Sequence, residues 1–150
     1  MIRLSRLADY GVVLTAHLAR NPDRWLTAAE LAGATTLPVP TVAKILKLLA
    51  QDGILDSHRG TKGGYALARP ARDVTVADIV AALDGPIALT ECMGAESGSC
   101  EIEALCPTRV NWRTINDAIT GALKSVTIAD MAAPAFPAIR NQRVESWHRA

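Results

Sequence analysis

The chain has 150 residues, of which 49% are hydrophobic and 21% charged, with three cysteines and a formal net charge of +1. That length suits one domain, or one small domain with an appendage, and it can bury a core without disulfide staples. The composition excludes wholesale disorder, and no apolar run approaches the roughly 18 residues of a membrane helix, so no membrane partner is expected. Asp9 interrupts the apolar stretch after Arg3 and Arg6 and no clean cleavage site follows, so no signal peptide is read. The near-neutral total hides an asymmetry. Up to residue 75 there are ten Lys and Arg against six Asp and Glu, a net +4; the remainder holds six against nine, a net −3. A basic half joined to an acidic half points toward nucleic-acid or membrane contact, although a charge excess this spread out also reads as an ordinary patchy surface.

In chain order the elements are mostly helical. Leu7, Tyr10, Gly11, Leu14 and Leu18 recur at helical spacing and predict an amphipathic helix over about 5–20, ended by Asn21-Pro22. Thr27-Ala28-Ala29-Glu30 is a capping box, in which hydroxyl and carboxylate each satisfy a free backbone N–H; it opens a short helix through about Ala34. A tight connection, Thr35 to Val39, leads to a third helix with Pro40 at its first position, where a missing N–H is harmless. Val42, Ile45, Leu46 and Leu49 give that helix an apolar stripe, and Gly53 is its left-handed stop. Residues 54–59 and 65–67 are strand candidates around Gly60-Thr61-Lys62-Gly63-Gly64, whose glycines permit a tight turn. Thr75-Val76-Ala77-Asp78 starts a fourth helix that ends at Gly85-Pro86. Residues 90–106 show no period. Pro107 then opens a helix of about 20 residues with Val110, Ile115, Ile119, Leu123 and Val126 along one side. Pro134 and Pro137 begin a tail expected to be loosely structured.

Helix, short helix, tight turn, helix and glycine-tipped hairpin is the order of a winged helix-turn-helix. The expected fold class is therefore mainly α: a winged helix-turn-helix with a two-stranded wing over 1–86, a cysteine loop over 87–106, a long dimerisation helix over 107–132 and a flexible tail over 133–150. Such a module sets its third helix into the major groove. Thr41, Lys44 and Lys47 are the polar residues on that helix away from the apolar stripe, and the hairpin tip carries Arg59 and Lys62, placed for the minor groove or the phosphates. Each of these cations alone reads as part of a solvated face; together they fall on the docking elements of one motif.

Cys92, Cys100 and Cys106 form a C-x7-C-x5-C pattern in an acidic, aperiodic segment with Glu91, Glu96, Glu101 and Glu103. Thiolates select zinc, copper(I) or iron–sulfur centres, and Gly94 and Gly98 allow the loop to bring several sulfurs together. Buried free thiols or a disulfide remain open alternatives, and the C-x2–4-C pair usual in zinc sites is missing. Reduced cysteines favour a cytoplasmic location. His17, His58 and His148 lie far apart in sequence with no nucleophile or phosphate-loop motif beside them, so no catalytic residue is assigned and no enzyme is expected.

The start Leu4-Ser5-Arg6-Leu7-Ala8-Asp9-Tyr10-Gly11, the stretch Leu37 to Leu46, the wing Arg59-Gly60-Thr61-Lys62-Gly63-Gly64-Tyr65 and the three cysteines together resemble the IscR/NsrR/RirA-type regulators, most closely those of the SUF iron–sulfur assembly operon. The resemblance covers about residues 1–132. It implies a homodimer whose long helices cross, each protomer reading half of a pseudo-palindromic double-stranded DNA operator. It implies an iron–sulfur cluster on Cys92, Cys100 and Cys106 whose state changes DNA affinity, with Arg59 in the minor groove and Thr41 and Lys44 at DNA-contacting positions. Two departures stand out. Arg109 occupies the place of a histidine ligand in IscR-like members, and a guanidinium does not normally ligate. Asp9 matches an aspartate that, in NsrR-like members, ligates a [4Fe–4S] cluster from the partner subunit; it equally suits the first turn of a helix, where the macrodipole favours an acid. Asp9 as fourth ligand favours [4Fe–4S] over [2Fe–2S]. Ala43 replaces a glutamate that discriminates between site types in IscR-like members, so their operator preference does not carry over. What the resemblance implies is repression of cluster-assembly or iron genes; sensing of nitric oxide or redox state on the same scaffold, or a structural zinc site, are the alternatives.

Overall fold

Ser5 starts the first helix, α1 (Arg6–Ala19): its hydroxyl accepts the Ala8 N–H at 3.0 Å and donates to Asp84 Oδ1 at 2.6 Å. The computed structural model describes residues 3–94 and 100–133. The tail predicted from residue 134 onward, and Glu96 and Gly98 of the cysteine segment, lie outside the described residues. The second helix, α2 (Ala28–Thr35), opens on the complete Thr27–Glu30 capping box. It stops at Thr36, whose φ of 57° is a left-handed conformation that a β-branched residue rarely adopts. This turn redirects the chain into α3 (Val39–Gln51), with Pro40 in the first turn. The α3 stripe of Val42, Ile45, Leu46 and Leu49 is entirely buried, and α3 ends where Gly53 takes φ 75° and Ile54 N–H donates to Leu49 O.

The wing follows. Strand β1 (Leu55–His58) pairs antiparallel with β2 (Gly64–Leu67), with Leu55 opposite Leu67 and His58 opposite Gly64. Leu26, just before α2, adds one bridge on the far side of Tyr65, through Tyr65 N–H to Leu26 O at 2.8 Å and Leu26 N–H to Tyr65 O at 3.1 Å. A 3-10 turn at Ala71–Asp73 leads to α4 (Val76–Asp84), opened by the Thr75–Asp78 capping box and stopped at Gly85. Burying apolar side chains of α1, α3 and α4 around Leu14, Ile45 and Ile79 builds one core. Gly11 marks a close approach of α1 to α4 in this core: a Cβ there would lie 2.4 Å from Leu83 Cδ1.

Two further 3-10 turns, Glu91–Met93 and Glu103–Leu105, flank the cysteine loop. The long helix α5 (Arg109–Lys124) begins two residues after Pro107 and is shorter than its apolar stripe suggests. The stripe breaks because Thr127 caps a separate helix, α6 (Ile128–Ala132), with a third capping box closed by Asp130. That short helix returns to the amino-terminal core. Ile128 is fully buried, Val76 N–H donates to Val126 O, Ile128 N–H donates to Val74 O, and Arg20 Nε donates to Ala132 O. Asn116 fixes α5 to the segment after α4, accepting the Leu89 N–H and donating to Ile87 O.

Candidate nucleic-acid interface and cysteine loop

The buried stripe of α3 leaves its opposite face free, and this face carries Lys44 and Lys47, both exposed, with Thr41 half-buried one turn earlier. There is no acid in the first turn of α3. Arg59 and Lys62 are exposed on the turn joining β1 to β2. Backbone geometry dictates that turn. Gly60 has φ 112° and Gly64 φ 144°, both outside the range of ordinary side chains. A Cβ on Gly64 would sit 2.6 Å from the Leu26 carbonyl carbon, and one on Gly63 would sit 2.3 Å from His58 O. Gly63 lets the turn close on its own backbone, and Gly64 lets the wing pack tightly onto residue 26.

Sequence reasoning missed one feature of the wing base. The Trp25 and His58 rings meet edge to face with centroids 4.3 Å apart. Offset and edge-to-face ring contacts are favoured by the ring quadrupole. Thirty-odd residues separate the two in sequence, so only the Leu26–Tyr65 bridge, itself unforeseen, brings them together.

The three cysteines are all free and half-buried. Cys92 Sγ lies 3.3 Å from Thr90 Oγ1, and Cys106 Sγ lies 3.4 Å from Thr108 Oγ1. The Thr108 hydroxyl, then its backbone N–H, with a smaller contribution from the Arg109 charge, hold the Cys106 thiol below the usual thiol range. Among the described residues, no three His, Cys, Asp or Glu side chains gather into a group able to hold a metal ion. The donor chemistry, three free, half-buried thiols, fits a soft metal or iron–sulfur centre; the sulfurs must draw together to form one. Arg109 is engaged elsewhere: its guanidinium donates to Glu103 Oε1 at 2.6 Å, while its Nε is buried without a hydrogen-bond partner among the described residues. Asp9 is exposed on the first turn of α1, beside Arg3, Leu4 and Arg6.

Most of α5 is uncovered. Val110, Trp112 and Ile115 are exposed, and at the carboxyl end of the helix Leu123 packs against the chain's own core.

Comparison with known proteins places this arrangement. Residues 4–134 match the family model described as Rrf2, iron-dependent transcriptional regulator. The chain belongs to the Rrf2 family. An HTH-type transcriptional regulator of Mycobacterium tuberculosis is 32% identical over 137 residues, which cover 91% of this chain and 84% of the relative. Among solved structures, CymR, the global cysteine regulator of B. subtilis, superposes with a TM-score of 0.69 at 27% identity over 88% of this chain and 97% of CymR. T. potens IscR gives 0.66 at 27% identity over 87% and 85%. As an Rrf2 protein the chain is a DNA-binding transcriptional regulator and not an enzyme. The winged helix-turn-helix, two-stranded wing, cysteine loop and carboxyl-terminal helix agree with the Rrf2 structures. No helix among the described residues is long and apolar enough to cross a membrane.

Proposed function

We propose that this Rrf2 protein is a cytoplasmic, homodimeric regulator, a repressor, that reads iron or iron–sulfur status through Cys92, Cys100 and Cys106 and controls cluster-assembly or iron genes, those of a SUF-type system first among them. The observation that carries this reading is the placement of a three-thiol loop between α4 of the DNA-binding unit and the uncovered helix α5. A group held there is tied at one end to each.

In the dimer, exposed apolar side chains of α5, among them Trp112 and Ile115 one turn apart, pack against the partner, since exposed apolar surface gains by being covered. Each protomer then presents one α3 to the major groove, with Thr41, Lys44 and Lys47 toward the bases and phosphates, and one wing, with Arg59 and Lys62, toward the minor groove. Half-sites lie about 34–36 Å apart, one helical turn, so a small change in the angle between protomers alters the fit. An iron–sulfur cluster supplies a redox- and iron-dependent centre when bound. Cys92, Cys100 and Cys106 would hold it, with Asp9 of the opposite protomer as the fourth ligand in a [4Fe–4S] arrangement. Drawing the three thiolates together would fix the spacing of the cysteines and bias the protomer angle, which is a two-state response to a ligand.

A second reading has its own support. Three free, half-buried thiols, with the Thr108 hydroxyl 3.4 Å from Cys106 Sγ, suit redox-responsive cysteines, which favours direct sensing of oxidant or nitric oxide on the same scaffold. Anaerobic purification, with absorption spectra and counts of iron and acid-labile sulfide, separates the two. The cluster reading predicts iron and sulfide that disappear in Cys100→Ala while the dimer stays folded. Asp9→Ala should weaken cluster retention. A colourless protein carrying zinc and no sulfide would contradict it, and an unfolded Cys100→Ala would assign the cysteines to structure.

A further inference from the structure

The free face of α3 is not uniformly polar. Its amino-terminal part exposes Val39, which keeps 50% of its accessible surface, together with Pro40 and Ala43. The polar residues Lys44 and Lys47 come only after them. This apolar patch is no spill-over from the core, because the core stripe of α3 is complete without it: Val42, Ile45, Leu46 and Leu49 are each fully buried. The first turn and a half of α3 has little else with which to read hydrogen-bonding groups: Pro40 has no N–H, Val39 and Ala43 have no polar side-chain atom, and the half-buried Thr41 offers one hydroxyl.

In a helix-turn-helix, the amino-terminal residues of the third helix face the base edges. The major groove offers one apolar landmark, the C5-methyl of thymine, which is matched by aliphatic side chains. The flanking charges, Lys44 and Lys47 on the same helix and Arg59 and Lys62 on the wing, suit a polyanion on either side of the patch and not an apolar protein partner. We propose that Val39, with Pro40 and Ala43 beside it, forms a thymine-methyl reader, so that this protein selects half-sites by methyl position where a glutamate- or glutamine-bearing helix would select by hydrogen bonds. Ala43 is small enough to let the helix backbone approach the methyl closely. The lysines behind it supply affinity without choosing a base.

This inference rests on α3 being the DNA-reading helix, and the test separates the two. Duplexes recovered by the full-length protein from a random DNA pool are remade with deoxyuridine for thymidine, one position at a time, which deletes the methyl and leaves base pairing intact. The expected result is a loss of about three- to tenfold in affinity at one or two positions in each half-site, as removal of one buried methyl group implies. Val39→Ala should bring the thymidine-to-deoxyuridine ratio at those positions toward one, whereas Lys44→Ala should weaken both duplexes alike. If every deoxyuridine duplex binds as tightly as the parent, while the parent is still preferred over random DNA, the methyl reader is wrong and the DNA-reading role of the protein stands. If no duplex is preferred over random DNA, the assignment of α3 to sequence reading falls, and the methyl reader with it. Because the probe change is on the DNA, the result does not depend on any variant folding.

Discussion

At the scale of single residues, the wing leaves Gly63 and Gly64 no room for a side chain. Gly64 combines a left-handed φ with direct contact against the Leu26 backbone, so neither torsion nor space is available for a side chain. Gly64→Ala should lower stability by about 1–3 kcal/mol, measured by thermal melting, and should weaken operator binding by displacing Arg59 and Lys62. A melting temperature equal to the parent's would show that the wing is looser than its geometry implies. Arg59→Ala should leave the melt unchanged and weaken operator binding by about 1–3 kcal/mol if the side chain reads a base edge; unchanged affinity would remove Arg59 from the interface. These glycines were legible in the sequence because a run of Gly60, Gly63 and Gly64 between two apolar stretches has few other uses. The Trp25–His58 contact was not, since ring pairs between distant residues leave no local pattern.

At the scale of elements, the sequence reads best where a cap or a stripe is complete within a few residues. The Thr27–Glu30 and Thr75–Asp78 boxes and the buried stripe of α3 each coincide with a helix. Thr127-Ile128-Ala129-Asp130 is a box of the same kind and divides the last helix in two; the apolar stripe through Val126 hides the break, because residues at helical spacing line up across a break as well as along a helix. In the folded chain the two parts have different surroundings: α5 is largely uncovered and α6 seals the core with Ile128. Thr127→Ala should therefore cost about 1 kcal/mol, the worth of a helix cap, and should loosen the α1–α6 contact. The Thr127 backbone N–H, and then its hydroxyl, hold the Asp130 carboxyl below its usual value of 3.8. A carboxyl depressed in the folded state stabilises above its unfolded value and loses that contribution as pH falls through the folded one. The stability gap between the parent and Asp130→Asn should thus be open at neutral pH and should close below about pH 3.8; a gap independent of pH would show that the carboxylate does not act as a charged cap.

At the scale of the whole molecule, the charge asymmetry becomes a division of labour. The ten bases before residue 75 include every cation on α3 and the wing, while the acidic remainder holds the three cysteines and α5. A net charge of +1 is thus compatible with tight binding to DNA, and salt reports it: affinity should fall steeply with ionic strength, and Lys47→Ala should reduce the log–log slope by about 1 if the side chain meets a phosphate. The cysteine loop is the part least legible from sequence. Spacing suggested a centre for three thiolates, but the fourth position is Arg109, held by Glu103, and a ligand from a second protomer leaves no mark on one chain. The loop acts on DNA binding only if its occupancy and the fit of the two α3 helices are coupled, and couplings of this kind run to about 5–150-fold in affinity. The most direct measurement is the affinity of the anaerobically isolated protein for its selected operator, before and after removal of iron by a chelator. The expected result is a change within that range, in the direction of weaker binding for a repressor, and no change in Cys100→Ala, which starts without iron. Equal affinity before and after iron is removed from a protein shown to contain it would contradict the coupling.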